Sequence, residues 1–283
     1  MIATTHAELG RDPGARRQAG RRARAARAVT CVRGPLVAGL VLALSLAARA
    51  QPLDPGAAVF QVINVETATS RPGIAGSAFF VAPDGTALTN SHVVYPSAQH
   101  PDRYQLLALV GQEFYSASVV CASALPYDPT QPPPLTGVPL GRDVAEIKLG
   151  PSTFRFTTWG YRFPGGEFLT AGTAHRGALP VFAALTVRGG PTPGGHVRVT
   201  GFGHLSPIAS EWTAVGEALQ PRLAPDGTNL FEVQFQGAPQ PGNSGSPVLN
   251  DANVVIGIWT WYYRTRPDTG LAQSASALQP ACR

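Results

Sequence analysis

Charge is scarce in this sequence: Asp, Glu, Lys and Arg make up 14% of its 283 residues. Long amphipathic helices are missing too, because no window sustains the 3.6-residue apolar period they require. These absences argue against a helical bundle. Abundant glycine (31) and proline (27) point instead to a turn-rich β protein. There is no His-Glu-x-x-His spacing, and His100, His175, His196 and His204 are scattered, so neither a metal nor another cofactor is expected. No internal repeat aligns.

Basic residues are lacking from most of the chain. The formal charge of +5 is concentrated in residues 1–50, where nine arginines face only Glu8 and Asp12. The remainder carries 13 basic against 15 acidic residues. Nucleic-acid binding rests on a basic surface, so no nucleic-acid partner is expected. The apolar run from Leu36 to Ala47 is about a dozen residues, too short to span a bilayer comfortably. It follows the arginine-rich stretch Arg16 to Arg33 and precedes Ala48-Arg49-Ala50, small residues spaced for cleavage before Gln51. Residues 1–50 therefore read as a signal peptide with a long basic n-region, an uncleaved anchor being the alternative. The expected location is exported, periplasmic or extracellular, with no stable membrane insertion after cleavage.

Cysteine is also rare. Cys31 leaves with the leader, while Cys121 and Cys282 remain, an even number in an oxidising compartment. A Cys121–Cys282 disulfide is expected, with two free thiols as the alternative.

What the chain does contain is a succession of short apolar segments between turns. Val59 to Val65 reads as a first strand. Pro83-Asp84-Gly85 is a turn between two apolar runs, hence a hairpin. Its second arm ends at Thr89, placing His92 just past a strand end. Residues 104–110 and 114–121 read as two more strands. After a proline-rich loop, Asp143 opens a strand in which Ala145, Ile147 and Leu149 alternate with Glu146 and Lys148. Residues 151–195 read as a long connection, with some strand near Val181 to Val187 and with Trp159, Tyr161 and Phe163 as packing residues. Strands resume at 197–203 and are expected at 212–219, 230–236, 246–250, 253–262 and near 270–276. That gives about six strands in each half.

Three polar residues punctuate this pattern: His92, Asp143 and Ser244. Ser244 lies in Gly242-Asn243-Ser244-Gly245-Ser246-Pro247. Its glycines suit a tight turn that projects a hydroxyl beside backbone N–H groups; a plain Gly/Ser/Asn turn is the alternative. Serine becomes a strong nucleophile when an imidazole takes its proton and a buried carboxylate orients that imidazole. Chain order separates the scaffolds that do this. No histidine follows Ser244, and Ser246 stands where the Gly-x-Ser-x-Gly elbow needs its second glycine, so an α/β-hydrolase does not fit. An Asp, His, Ser order needs an aspartate before His92, and Asp54 and Asp84 lack matching surroundings. The order His, Asp, Ser fits a two-barrel chymotrypsin-like scaffold.

Thr89-Asn90-Ser91-His92-Val93-Val94, Asp143-Val144-Ala145, Val199-Thr200-Gly201-Phe202-Gly203 and Gly242 to Pro247 together resemble the trypsin-like serine peptidases. Gly-Asn-Ser-Gly-Ser-Pro and the following Val254-Val255-Ile256-Gly257-Ile258 are most similar to the bacterial V8-like glutamyl endopeptidases, and next to Deg/HtrA-type proteases. About 39 residues follow Ser244, too few for the PDZ domain of the latter. The resemblance covers roughly residues 59–262 and implies an all-β fold of two six-stranded antiparallel β-barrels. The expected organisation is an N-terminal barrel over 51–150 carrying His and Asp, a connection over 151–195, and a C-terminal barrel over 196–283 carrying Ser.

The resemblance also implies roles. His92 is the general base, Asp143 fixes its tautomer, and Ser244 forms an acyl-enzyme. The N–H groups of Gly242 and Ser244 form the oxyanion hole. Zymogen-activated relatives carry an aspartate directly before the nucleophile, to pair with a new N-terminal ammonium. Neutral Asn243 needs no such partner, so no activation cleavage of that kind is expected. Ala238 stands at the pocket base where trypsin-like enzymes place aspartate, which argues against Arg/Lys preference. Pro239 and Trp259 stand where glutamate-specific relatives carry threonine and histidine. Thr260 and Trp261 supply the strand edge for substrate backbone, and Tyr262 narrows the pocket toward small or uncharged side chains. The expectation is a monomeric serine endopeptidase acting on protein or peptide substrates. A catalytically silent binding module of the same fold, and an esterase using the same triad, are the alternatives.

Overall fold

In the first half, short apolar segments pair into strands β1 (Val59–Glu66), β2 (Pro72–Phe80), β3 (Thr86–Thr89), β4 (Tyr104–Val110), β5 (Glu113–Ala122) and β6 (Ala145–Gly150). The structure, a computed structural model, describes residues 54–130, 140–162, 168–203, 211–236, 241–263 and 265–278. The signal peptide expected over 1–50 lies outside them. The strand order is β4-β1-β2-β3-β6-β5, and a β4–β5 pairing closes it into an antiparallel barrel. β6 shows the alternation read from the sequence, with Ala145, Ile147 and Leu149 inside. It begins at Ala145, so Asp143 sits in the irregular stretch ahead of the strand. β1 lacks alternation because both its faces are covered. Phe60 and Val62 point into the barrel core, while Ile63 and Val65 pack outward against Leu107, Phe114, Phe154 and Trp159.

That outer layer comes from the segment read as a connection. β7 (Thr158–Arg162) and β8 (Phe168–Ala174) form a hairpin joined to β5 by a short parallel pairing, Glu113↔Thr173 and Phe114↔Ala174. Trp159 is buried there, as its reading as a packing residue anticipates. Phe163 lies outside the described residues. Near Val187 the chain is extended but makes only an isolated bridge to Val255.

The second half contributes β9 (His196–Phe202), β10 (Glu211–Leu223), β11 (Asn229–Phe235), β12 (Pro247–Leu249), β13 (Val255–Tyr263) and β14 (Arg266–Ser274). They close in the order β10-β11-β14-β13-β12-β9 around Val199, Phe231, Val233, Val248 and Trp259. The fold is thus the expected pair of six-stranded antiparallel barrels. Between them a fourth apolar cluster joins Phe79, Leu88 and Val144 to Leu249, Val255 and Ile258. Burying these side chains fixes the two barrels against each other, at about 25 cal/mol per Å² of apolar surface removed from water.

One element is absent from the sequence reading. Helix α1 (Ser91–Gln99) follows β3 directly, so His92 occupies a first helical turn rather than a strand-end loop. Nine residues with Pro96 inside give too little periodicity to read. Tertiary contacts hold it instead. Buried Asn64 donates from Nδ2 to the carbonyls of Ile74 (2.8 Å) and Val93 (2.7 Å), and its Oδ1 accepts from the N–H and hydroxyl of Ser97. Among the described residues no helix is long and apolar enough to cross a membrane.

Candidate active site

His92 and Asp143 meet across 51 residues of the first barrel's chain. α1 carries the imidazole, and the stretch before β6 carries the carboxylate. His92 Nδ1 lies 2.6 Å from Asp143 Oδ2, and the His92 backbone N–H donates to Oδ1 at 3.0 Å. The carboxylate is 1% exposed and the imidazole 17%. With one carboxylate oxygen on Nδ1 and the other on the backbone of the same residue, the ring's orientation is set, with Nδ1 as the protonated nitrogen and Nε2 free to accept.

The peptide of Asp143 is held just as closely. Its N–H donates to Gln273 Oε1 at 3.0 Å. Its carbonyl accepts from Gln273 Nε2 at 2.8 Å and from Asn90 Nδ2 at 2.6 Å. Asn90 is the N-cap of α1, yet its side chain makes no cap bond; its Nδ2 donates instead to the Asp143 carbonyl and to Thr260 Oγ1.

Ser244 comes from the second barrel, in the turn ahead of β12. Gly242 has φ of 100° and Gly245 of 89°, backbone angles that side chains disfavour. A Cβ on Gly245 would stand 2.0 Å from the Ser77 carbonyl oxygen. Ser77, on β2, staples the turn to the first barrel. Its N–H donates to the Ser244 carbonyl at 2.8 Å, its hydroxyl donates to the Gly242 carbonyl at 3.1 Å, and the same oxygen accepts from the Phe202 N–H at 2.9 Å. The N–H of Gly245 donates to the Trp259 carbonyl and that of Ser246 to the Asn243 carbonyl. Among the described residues the N–H groups of Gly242 and Ser244 have no such acceptor.

The Ser244 hydroxyl donates to the Thr260 carbonyl at 3.3 Å. Among the described residues it makes no hydrogen bond to His92. The structure therefore joins two of the three expected side chains directly and brings the third in through Thr260, whose Oγ1 accepts from both Asn90 and Gln273.

The specificity residues divide. Ala238 and Pro239 lie outside the described residues, as does Cys282. Trp259 is buried in the second barrel's core, edge-on to Phe235 at 5.0 Å. Thr260 is buried at 3% exposure, Trp261 is half-buried and Tyr262 is 46% exposed. β13 pairs with β12 as far as Ile258, and Trp259 then bonds the serine turn, its N–H donating to the Ser246 carbonyl and its carbonyl accepting from the Gly245 N–H; from Thr260 onward this edge has no backbone partner among the described residues. Cys121 is disulfide-bonded, as export would favour.

Sequence reasoning missed four contributors. Asn90 stands in the sequence only as part of the motif around His92, and nothing local marks Ser77. Gln273 sits where a strand was expected without any sign that a buried amide was needed. Tyr127 lies in the loop after β5. Burial pushes its phenol above the usual value, and the Asp143 charge adds to that.

A family profile described as "Trypsin-like peptidase domain" matches residues 76–258. The chain belongs to the trypsin-like peptidase family. This trypsin-like peptidase is a serine endopeptidase, a hydrolase. Its fold is similar to that of Deg5, with a TM-score of 0.50 at 14% identity over 86% of this chain and 93% of that one. It is also similar to the inactive form of the Rv3671c protease of M. tuberculosis, with a TM-score of 0.49 at 16% identity over 80% of this chain and 87% of that one. No curated protein matches this peptidase.

Proposed function

We propose that this endopeptidase is exported and cleaves peptide bonds through Ser244, His92 and Asp143. The observation that carries the reading is the 2.6 Å contact between a buried carboxylate and His92 Nδ1, which leaves Nε2 as the acceptor. In the reaction the Ser244 hydroxyl leaves the Thr260 carbonyl and faces Nε2. Its proton passes to His92 as Oγ attacks the substrate carbonyl. Asp143 stabilises the imidazolium, and the N–H groups of Gly242 and Ser244 take the oxyanion, where losing one donor costs about 10²–10³ in rate. The imidazolium then protonates the leaving amine, and water repeats the sequence to release the acyl group.

Substrate backbone adds to the open edge of β13 beside Thr260 and Trp261, as extended peptides add to exposed strands. Exposed Tyr262 narrows the side-chain pocket, and the uncharged Ala238 stands in the sequence where trypsin-like enzymes place aspartate, so small or uncharged residues are preferred. The subtype proposed is the V8-like branch, on the Gly242 to Pro247 motif, without its glutamate preference. The leader over 1–50 carries export. Cys121 pairs with Cys282, Asn243 makes activation cleavage unnecessary, and the mature chain works as a monomer.

The test is a profile of cleavage sites in a denatured proteome treated with residues 51–283. Clusters of new termini after small or uncharged residues, abolished by Ser244→Ala, are expected. Cleavage of activated esters without any cleavage of amides would give the esterase reading instead. No turnover of either substrate class would contradict the triad reading.

A further inference from the structure

We propose that Gln273 is a positioning residue: from β14 of the second barrel it fixes the peptide of Asp143, and thereby the carboxylate that orients His92. The proposal rests on the triad reading above.

Asp143 has no strand ladder to hold it, because β6 starts two residues later. The Gln273 carboxamide replaces one. It pairs with both polar groups of a single residue, accepting from the Asp143 N–H at 3.0 Å and donating to its carbonyl at 2.8 Å. With φ and ψ of Asp143 so constrained, only its side-chain torsions stay free, and the two bonds to His92 fix those. The second Nε2 hydrogen goes to Thr260 Oγ1 at 3.1 Å. The main chain of that same threonine accepts the Ser244 hydroxyl. One side chain thus ties the carboxylate of the first barrel to the residue that holds the serine of the second.

Burial makes the arrangement costly to misplace. Gln273 is 0% exposed, and its register partners on the two adjoining strands are the buried apolar residues Leu230 and Ile258. An unpaired amide there would cost about 1–3 kcal/mol. A purely packing role would be served better by leucine. The polar residue is explained by what it touches: the main chain of the one carboxylate engaged on His92.

The test uses Gln273→Met, which keeps the volume and removes both bonds to Asp143. Hydrolysis of a peptide substrate is measured together with the downfield proton resonance of His92 Nδ1–H, which reports its bond to the carboxylate. We expect kcat to fall roughly tenfold to a hundredfold, the range for a small misplacement of reacting groups, with KM within about twofold. The resonance should move upfield or broaden. A folded Gln273→Met protein with wild-type kcat and an unmoved resonance would overturn the proposal. Gln273→Asn, which keeps a buried amide but withdraws it by one methylene, decides the matter in the same terms where the Met variant does not fold. The resonance is also recorded in Ser244→Ala with and without the Gln273 change. An inactive wild type would thus count against the triad while leaving the Gln273 effect measurable.

Discussion

Ser77 shows how much of this site depends on residues that never meet substrate. One hydroxyl bonds the Gly242 carbonyl and takes the Phe202 N–H, while the backbone of the same residue holds the Ser244 carbonyl. Ser77→Ala removes the first two bonds and leaves a buried N–H unpaired. The expected loss is about 1–3 kcal/mol of stability, read as a lower urea midpoint, with kcat/KM falling about tenfold as the turn around Ser244 loosens. At this scale the sequence was legible for the reactive side chains and opaque for their supports. His92, Asp143 and Ser244 stand out because a hydroxyl, an imidazole and a carboxylate in that order have a chemical meaning. Asn90, Gln273 and Ser77 do not, because an amide or a hydroxyl acquires meaning only from partners tens to hundreds of residues away, such as the 130 residues between Asp143 and Gln273.

Elements were legible where a single physical rule set them. The β2–β3 hairpin follows from Pro83-Asp84-Gly85. Asp84 Oδ1 accepts from the N–H and hydroxyl of Thr86, and Gly85 takes φ of 89°. The Lys148 ammonium, followed by those Thr86 bonds, holds the Asp84 carboxyl down at about 2, against 3.8 when unfolded. A carboxyl whose folded value is depressed adds stability above its unfolded value and loses it as pH falls through the folded one. Thermal stability should therefore decline between about pH 4 and pH 2 in part through this group, and Asp84→Asn should flatten that portion of the Tm-against-pH curve. An unchanged curve would show that the turn aspartate is not coupled to folding. By contrast, α1 obeys no local rule. Pro96 interrupts it, its N-cap side chain serves Asp143, and Asn64 anchors it from β1. β7 and β8 were also missed, because their Gly- and Pro-rich flanks read as loop while their pairing partner lies in β5.

For the whole molecule, barrel closure was legible from strand count and chain order, but what locks the molecule together was only partly so. The apolar cluster between the barrels draws from both halves, and the disulfide at Cys121 adds a covalent tie. With Cys282 as the proposed partner the closed loop is long, and Cys121→Ser should lower stability by about 2–4 kcal/mol. Denaturant unfolding with and without reductant measures this, and peptide mapping under non-reducing conditions should return the 121–282 pair. Equal midpoints in the two conditions would remove the bond from the stability account.

The central claim is that Ser244 is the nucleophile of a His92–Asp143-activated site, and intact-mass spectrometry after reaction with a fluorophosphonate tests it most directly. The account predicts a single adduct per molecule of residues 51–283, mapping to Ser244. It should be absent in Ser244→Ala, and in His92→Ala its formation should slow by several orders of magnitude. A folded protein that takes up no adduct, or one whose adduct persists in Ser244→Ala, would contradict it.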